Sequence, residues 1–265
     1  MTGAAPGDAL VLTRVEDGVG VISLNRPDKH NAVSDAMAPA WQDAVEWALG
    51  DDAVRVVVLR GEGPSFCSGR DMTELGQRAT GLSDFEFVRR TQTLGAALMA
   101  SPKPVIAAVK GYALGGGFER ALSCDIRIGS PDAVMALPEI NYAILPDTGG
   151  TQLLTALVGP GRAKELVLTG RRISADEALA WGILNRVVPL AELDTVVLDL
   201  ARTIASRAPL AVAMGKQLVD QLWSDAVGRG IRAELLAQSA LFATADYAEA
   251  RAARREGRPP VFTGH

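Results

Sequence analysis

Between residues 105 and 130 the chain reads VIAAVKGYALGGGFERALSCDIRIGS. The five apolar residues VIAAV have the length and β-branching of a strand buried on both faces. Three successive glycines then open FERALSC, which has the pattern of a short helix, and DIRIGS returns to strand character. A chain that changes from strand to helix and back over so short a span points to an α/β fold. The flanking sequence repeats the alternation. LVLTRVEDGVGVISLN (10–25) reads as a hairpin turning at EDG, and VRVVVLRG (54–61) as a second buried strand. Residues 35–49 and 84–100 read as helices, the first limited at its start by Pro39.

From about residue 149 the pattern is nearly all helix. Ser174 and Glu177 have capping-box spacing, so each side chain can reach the other's backbone N–H. Pro209 opens PLAVAMGKQLVDQL in the first turn, where its missing N–H costs nothing. Asp246 reads as the cap of DYAEARAARREG. Residues 1–200 are expected to form the core that carries the site, and residues 201–265 a helical C-terminal region.

Composition narrows the chemistry. With 48% apolar residues the 265-residue chain can bury a large core. A net charge of −4 without a massed basic stripe argues against a nucleic-acid partner. No apolar run approaches the ~20 residues of a membrane helix, and MTGAAPGDALVL lacks the basic start of a leader. Two cysteines, Cys67 and Cys124, suit a reducing compartment, so a soluble cytoplasmic protein is expected. Only His30 and His265 are available, which leaves acid–base work to carboxylates and nearly excludes a histidine-rich metal site.

The glycine run matches neither nucleotide fingerprint. GxGxxG needs a glycine where Arg120 stands, and GxxxxGK[ST] is absent. Two readings remain. The glycines let a helix pack tightly on a strand, or they bring free N–H groups up to a substrate oxygen while Glu119, one turn in, moves a proton. FCSGRDM (66–72) is a second loop after a buried strand, with Ser68 and Gly69 small enough for close backbone approach. LPEINYAILPDTGG (137–150) adds Glu139, and Asp147, which either caps the following helix or serves the site.

Taken in order, FCSGRDM, GYALGGGFERALSCDIRI and LPEINYAILPDTGGTQLL resemble the crotonase superfamily of enoyl-CoA hydratases and isomerases. RPDKHNAVS, VLTGRRISADEALAWGILNRVV and RPPVFTGH extend the likeness over nearly the whole chain. The resemblance implies a spiral of ββα turns followed by helices that drive trimer formation, as a homotrimer or a dimer of trimers. It implies an acyl-CoA thioester substrate, with no metal or redox cofactor and coenzyme A brought in by the substrate itself. Carried over by motif, the oxyanion donors are the N–H groups of Ser68 and Gly116, and the paired acid and base are Glu119 and Glu139. Spacing does not say which is which. Lys29, Gly69, Arg70, Asp71, Met72, Gly115 and Asp147 are the expected substrate contacts, Arg70 being also open to a surface ion pair.

Hydration of a 2-enoyl thioester is therefore the expected reaction. GGGFE, LPE and PDTGG also look close to carnitinyl-CoA dehydratases, and the carboxylate at Asp147 resembles isomerases. Dienoyl-CoA isomerases, however, typically carry aspartate where Glu119 stands. A non-catalytic or RNA-binding scaffold is the alternative of another class, opposed by the two glutamates and the mild acidity. The far wall of the pocket is expected from residues 72–98 and the C-terminal helices.

Overall fold

The computed structural model describes residues 9–77, 81–221 and 224–265. The opening of the N-terminal segment, residues 78–80 of the expected far wall and Leu222 of the expected 209–222 helix lie outside the described residues. The chain begins with β1 (Val11–Glu16), β2 (Val19–Leu24), α1 (Met37–Gly50), β3 (Val56–Gly61), α2 (Asp84–Ala100), β4 (Val105–Val109) and β5 (Tyr112–Leu114). It continues through α3 (Gly116–Leu122), β6 (Ile126–Gly129), β7 (Val134–Ala136), α4 (Gly150–Thr169), β8 (Ile173–Ser174), α5 (Ala175–Ala180) and β9 (Arg186–Val187). Four helices close it: α6 (Leu193–Ala205), α7 (Pro209–Asp220), α8 (Ser224–Leu241) and α9 (Ala245–Glu256).

β1 and β2 form the expected hairpin, joined by Asp17 (φ 51°) and Gly18 (φ 78°). Two left-handed residues match the turn that a twisted two-residue hairpin demands. Each later turn of the chain lays one segment in a six-stranded sheet, ordered β1-β2-β3-β4-β6-β9, and one in a second layer. β4 is followed by β5 and β6 by β7, and each successive pair is parallel. After β3 the second layer is extended by Cys67, which bridges Ala113, and by Arg70, which bridges Val33 from the turn before. The result is a spiral of stacked turns, whose second layer runs directly into the loops that build the site.

Alternation along the strands sorts the core. Ile22, Leu24, Val57, Leu59, Val105, Ala107 and Val109 face α1 and the second layer. Val19, Val21, Val56, Val58, Ile106 and Ala108 face the opposite way. α6 covers that second face with Leu193, Val197, Ala201 and Ala205, spaced at four residues so that they fall on one stripe. α8 packs against α2 and α4, and α9 against the 3-10 turn at 138–142. No helix among the described residues is long and apolar enough to cross a membrane.

Two expected helix starts differ. Ser174 does accept from the Glu177 N–H, but the Glu177 carboxylate is taken by Arg171 at 2.6 Å, so the box is half made. The full box lies at Ser83 and Glu86, at the start of α2. Thr244, not Asp246, caps α9. Asp246 instead takes the N–H groups of Thr263 and Gly264, tying down the C-terminal tail.

Candidate active site

The three glycines of the 115–117 run serve three purposes. Gly115 has φ 53° and ψ −129°, and a Cβ there would lie 2.8 Å from Glu139 Oε1. A Cβ on Gly117 would lie 2.0 Å from the Cys67 carbonyl oxygen, so α3 rests directly on the 66–69 loop. Gly116, between them, lines a cavity, and its N–H has no acceptor among the described residues. Tight packing and an open N–H are thus both present, on different glycines.

The second donor is not the expected one. The Ser68 N–H donates to the His30 carbonyl at 2.9 Å. In the parallel bridge between Val33 and Arg70, Val33 N–H donates to Gly69 O at 2.7 Å and Asp71 N–H to Val33 O at 2.9 Å. Both bonds come from the neighbours of Arg70, so its own N–H faces away from Val33. That N–H has no acceptor among the described residues, and Arg70 lines the cavity with Gly116. The N–H groups of Arg70 and Gly116, one from each loop, are therefore both open beside the cavity.

Glu119 is buried in the first turn of α3. Its Oε1 accepts from the N–H groups of Thr148 and Gly150, both at 2.8 Å. Burial raises its pKa, and those two bonds pull the other way. Glu139 Oε2 is buried with no hydrogen-bond partner. Burial, and then the charge of Glu119, push Glu139 well above the ordinary carboxylate range. Two carboxyls on one cavity are thus held differently, Glu119 by the Thr148 and Gly150 donors and Glu139 with its Oε2 left bare.

Asp147 does not cap α4, whose N-cap is Gly149. It lines the cavity, and its Oδ2 accepts a long 3.3 Å bond from Gln238 Nε2. Burial, with Glu119 and Glu234 adding to it, raises its pKa to about 8. Glu234, from α8, carries no motif and was invisible in the sequence. It is buried and accepts from Gly149 N–H at 2.8 Å, Thr151 N–H at 3.1 Å and the Thr151 hydroxyl. Gln238, one turn on, also accepts from Leu145 N–H.

Trp41, Leu75, Phe87, Leu98, Ile144, Leu145 and Phe242 make the apolar wall, with Gly69, Met72, Gly115 and Tyr247 also lining the space. Both expected sources of the far wall contribute to it. Asp71 does not line the cavity: its carboxylate is engaged by Arg26 at 3.0 Å and by Thr73. Lys29 is exposed on the neighbouring loop, where its carbonyl accepts the Ser68 hydroxyl at 3.3 Å. Arg70 pairs with Asp35 at 3.0 Å and lies 4.7 Å from the Phe87 ring centre, so its side chain props the wall. Arg120 donates to Gly116 O at 2.8 Å and stands over Trp41, 5.6 Å from the ring centre. Its charge favours the ionised form of Glu119.

The profile of the enoyl-CoA hydratase/isomerase family matches residues 14–265. This chain belongs to that family. A probable mitochondrial enoyl-CoA hydratase 2 of Arabidopsis thaliana is 36% identical over 98% of this chain and 88% of its own length. A short-chain-enoyl-CoA hydratase of Clostridium acetobutylicum is 37% identical over 94% of this chain and 95% of its own. The crystal structure of an enoyl-CoA hydratase from Mycobacterium avium subsp. paratuberculosis superposes with a TM-score of 0.86 at 31% identity, covering 96% of this chain and 99% of that one. The crotonase-type α/β fold with its helical C-terminal region is shared with that neighbour. The family match reaches past α8, so the helix that supplies Glu234 and Gln238 belongs to the same family unit as the spiral.

Proposed function

We propose that this enoyl-CoA hydratase/isomerase family member adds water reversibly across the 2,3 double bond of an enoyl-CoA thioester. The observation that carries the reading is the pair of unlike carboxyls, Glu119 and Glu139, lining one cavity with the open N–H groups of Gly116 and Arg70. The thioester oxygen accepts from those two N–H groups. Glu119, its Oε1 fixed by two donors, takes a proton from water on Oε2 as the hydroxyl bonds to C3. The π electrons move toward the thioester oxygen, where the N–H pair stabilises the enolate charge. Glu139, the carboxyl held protonated by its bare, buried setting, gives its proton to C2. Glu119 ends protonated and Glu139 ionised, and proton exchange with solvent restores them. Neither a metal nor a redox cofactor enters this scheme, and coenzyme A arrives as part of the substrate, its polar end meeting Lys29 on the exposed neighbouring loop.

Asp147 supports a second reading, proton shuttling in an isomerase, because it brings a third cavity carboxyl that holds a proton near neutrality. The assay that separates the two is the absorbance of the conjugated enoyl thioester. Crotonyl-CoA loses that absorbance under a hydratase, whereas a 3-enoyl-CoA gains it under an isomerase.

The exposed face of α7 supports assembly with further copies of the chain. Leu210, Met214 and Leu218 recur every fourth residue and stand 75%, 62% and 65% exposed. Such a stripe on a soluble enzyme asks for a partner surface, and a second and third copy of this chain supply it in a homotrimer or a dimer of trimers. Replacing Met214 and Leu218 with glutamate should shift the mass measured by light scattering toward the monomer, and an unchanged mass would rule the stripe out of the interface.

A further inference from the structure

Residues 148–151, at the entry to α4, present four successive backbone N–H groups, and two carboxylates share them in alternation. Thr148 and Gly150 donate to Glu119 Oε1, while Gly149 donates to Glu234 Oε2 and Thr151 to Glu234 Oε1. These are the groups that a helix start leaves without intrahelical partners. Glu119 reaches them from α3 and Glu234 from α8, and each carboxylate thereby fixes the segment that fixes the other. A Cβ on Gly150 would lie 2.8 Å from Glu119 Oε1 and 2.7 Å from the Pro146 side chain, so the segment has little room to adjust.

We propose that Glu234 is a positioning residue for the hydration reaction, clamping residues 149–151 so that the alternate N–H groups hold Glu119, and placing a negative charge behind the reacting carboxyls. The proposal rests on the hydratase reading of the cavity. Glu234 is not among the residues that line the cavity, so its action runs through Glu119 and through its charge.

The bonding favours a charged Glu234. Three donors point at its two oxygens, and the Thr151 hydroxyl itself accepts from Gln152 at 3.0 Å, which orients its proton toward Glu234. Burial and the charge of Glu119 oppose ionisation, and the balance leaves Glu234 titrating at about 7. The titratable groups that interact with it are Glu119 on α3, Glu139 on the 138–142 turn and Asp147 before α4. From α2 comes the uncharged Gln92, which donates to Asp147 O at 2.7 Å and Ile231 O at 2.9 Å. Arg232, on α8 itself, lines a separate cleft with Arg89. The charge of Glu234 raises the proton affinity of both Glu139 and Asp147. Ionising Glu234 therefore helps Glu139 keep the proton it must deliver.

Glu234→Gln keeps the shape and removes the charge. The expected result is a fall in kcat on the order of 10²-fold from the loosened Glu119, with KM little changed. The alkaline limb of the kcat profile should also move down by about one pH unit, because Glu139 loses a neighbouring negative charge. Site-resolved 13C titration of the glutamate carboxyls should show the Glu139 midpoint falling by a similar amount. A lower kcat with limbs and midpoints unmoved would reduce Glu234 to a packing residue and overturn the proposal, as would an unchanged kcat. Inactivity of the wild type on enoyl-CoA would sink the hydratase reading alone, since the carboxyl titration decides the role of Glu234 without turnover. Should Glu234→Gln fail to fold, Thr151→Val removes a single donor. It should raise the Glu234 midpoint, and an unmoved midpoint would overturn the proposal.

Discussion

α3 and α4 both begin at a glycine with left-handed backbone, Gly115 at φ 53° and Gly149 at φ 101°, and both open beside the same cavity. At α3 the N–H of Gly116 is left open. At α4 the N–H groups of residues 148–151 are all taken by Glu119 and Glu234. One helix start is kept for an incoming oxygen, while the other is spent on holding the carboxylate that acts on that substrate. GGGFE and TGGTQ do not differ in any way that announces this division. The difference comes from Glu234, which reaches α4 from α8 and takes its N–H groups, whereas Glu139, the carboxyl beside the start of α3, takes no bond from the Gly116 N–H.

The largest expected effect removes the group that links the two helix starts. Glu119→Gln can still accept the Thr148 and Gly150 N–H groups through its amide oxygen, so the fold should survive. Turnover of crotonyl-CoA should fall by on the order of 10²–10⁴-fold, and retained turnover would break the account of the filled end. Glu139→Gln should fall comparably, since its amide has no proton to deliver.

Next comes the open end. Gly116→Ala meets the flexible tip of Arg120 at 3.2 Å and Glu119 Oε2 at an ordinary contact distance of 4.0 Å, so its Tm should stay within a few degrees. Its kcat/KM should fall on the order of 10²-fold as the methyl crowds the oxygen site. Gly117→Ala would drive a methyl into the Cys67 carbonyl and should instead destabilise by about 3 kcal/mol, roughly 10 °C in Tm. Equal Tm losses in the two variants would erase the distinction between an open glycine and a packed one.

The smallest effect sharpens the electrostatics between the two ends. The folded pKa of Asp147 is raised from 3.8 to about 8, so in that window the folded state holds a proton that the unfolded chain releases. Its contribution to stability is present below 3.8 and is lost as pH rises toward 8. Asp147→Asn should therefore raise Tm by a few degrees at pH 8 and by nothing at pH 4. A Tm difference independent of pH would show that Asp147 is ionised across the range.

Much of this was legible in the sequence. Asp17–Gly18 announced the hairpin, α2 occupies the expected 84–100, and the apolar runs 54–61 and 105–109 became strands buried on both faces. Such features depend on local turn chemistry and residue periodicity. Glu119, Glu139, Gly116 and Asp147 all reach the cavity, carried there by ordered motifs. What escaped depends on long-range bonding. Whether Ser68 or Arg70 offers its N–H is decided by His30 and Val33, from the preceding turn of the spiral. Glu234 sits in IRAELLAQ, where a glutamate reads as an ordinary helical residue until α8 is laid against α4. Asp71 follows the loop glycine as motifs suggest, yet Arg26 and Thr73 draw it away from the cavity.

The most direct test of the division of labour uses butyryl-CoA in D2O, followed by NMR. This thioester has no double bond to hydrate, so exchange at C2 reports only the N–H pair of Gly116 and Arg70 and the carboxyl that serves C2, acting in the ionised form that Glu139 takes in the reverse reaction. The account predicts that wild type and Glu119→Gln both exchange the C2 protons and that Glu139→Gln does not. Exchange surviving in Glu139→Gln, or vanishing in Glu119→Gln while Glu139→Gln retains it, would contradict the assignment of the two glutamates.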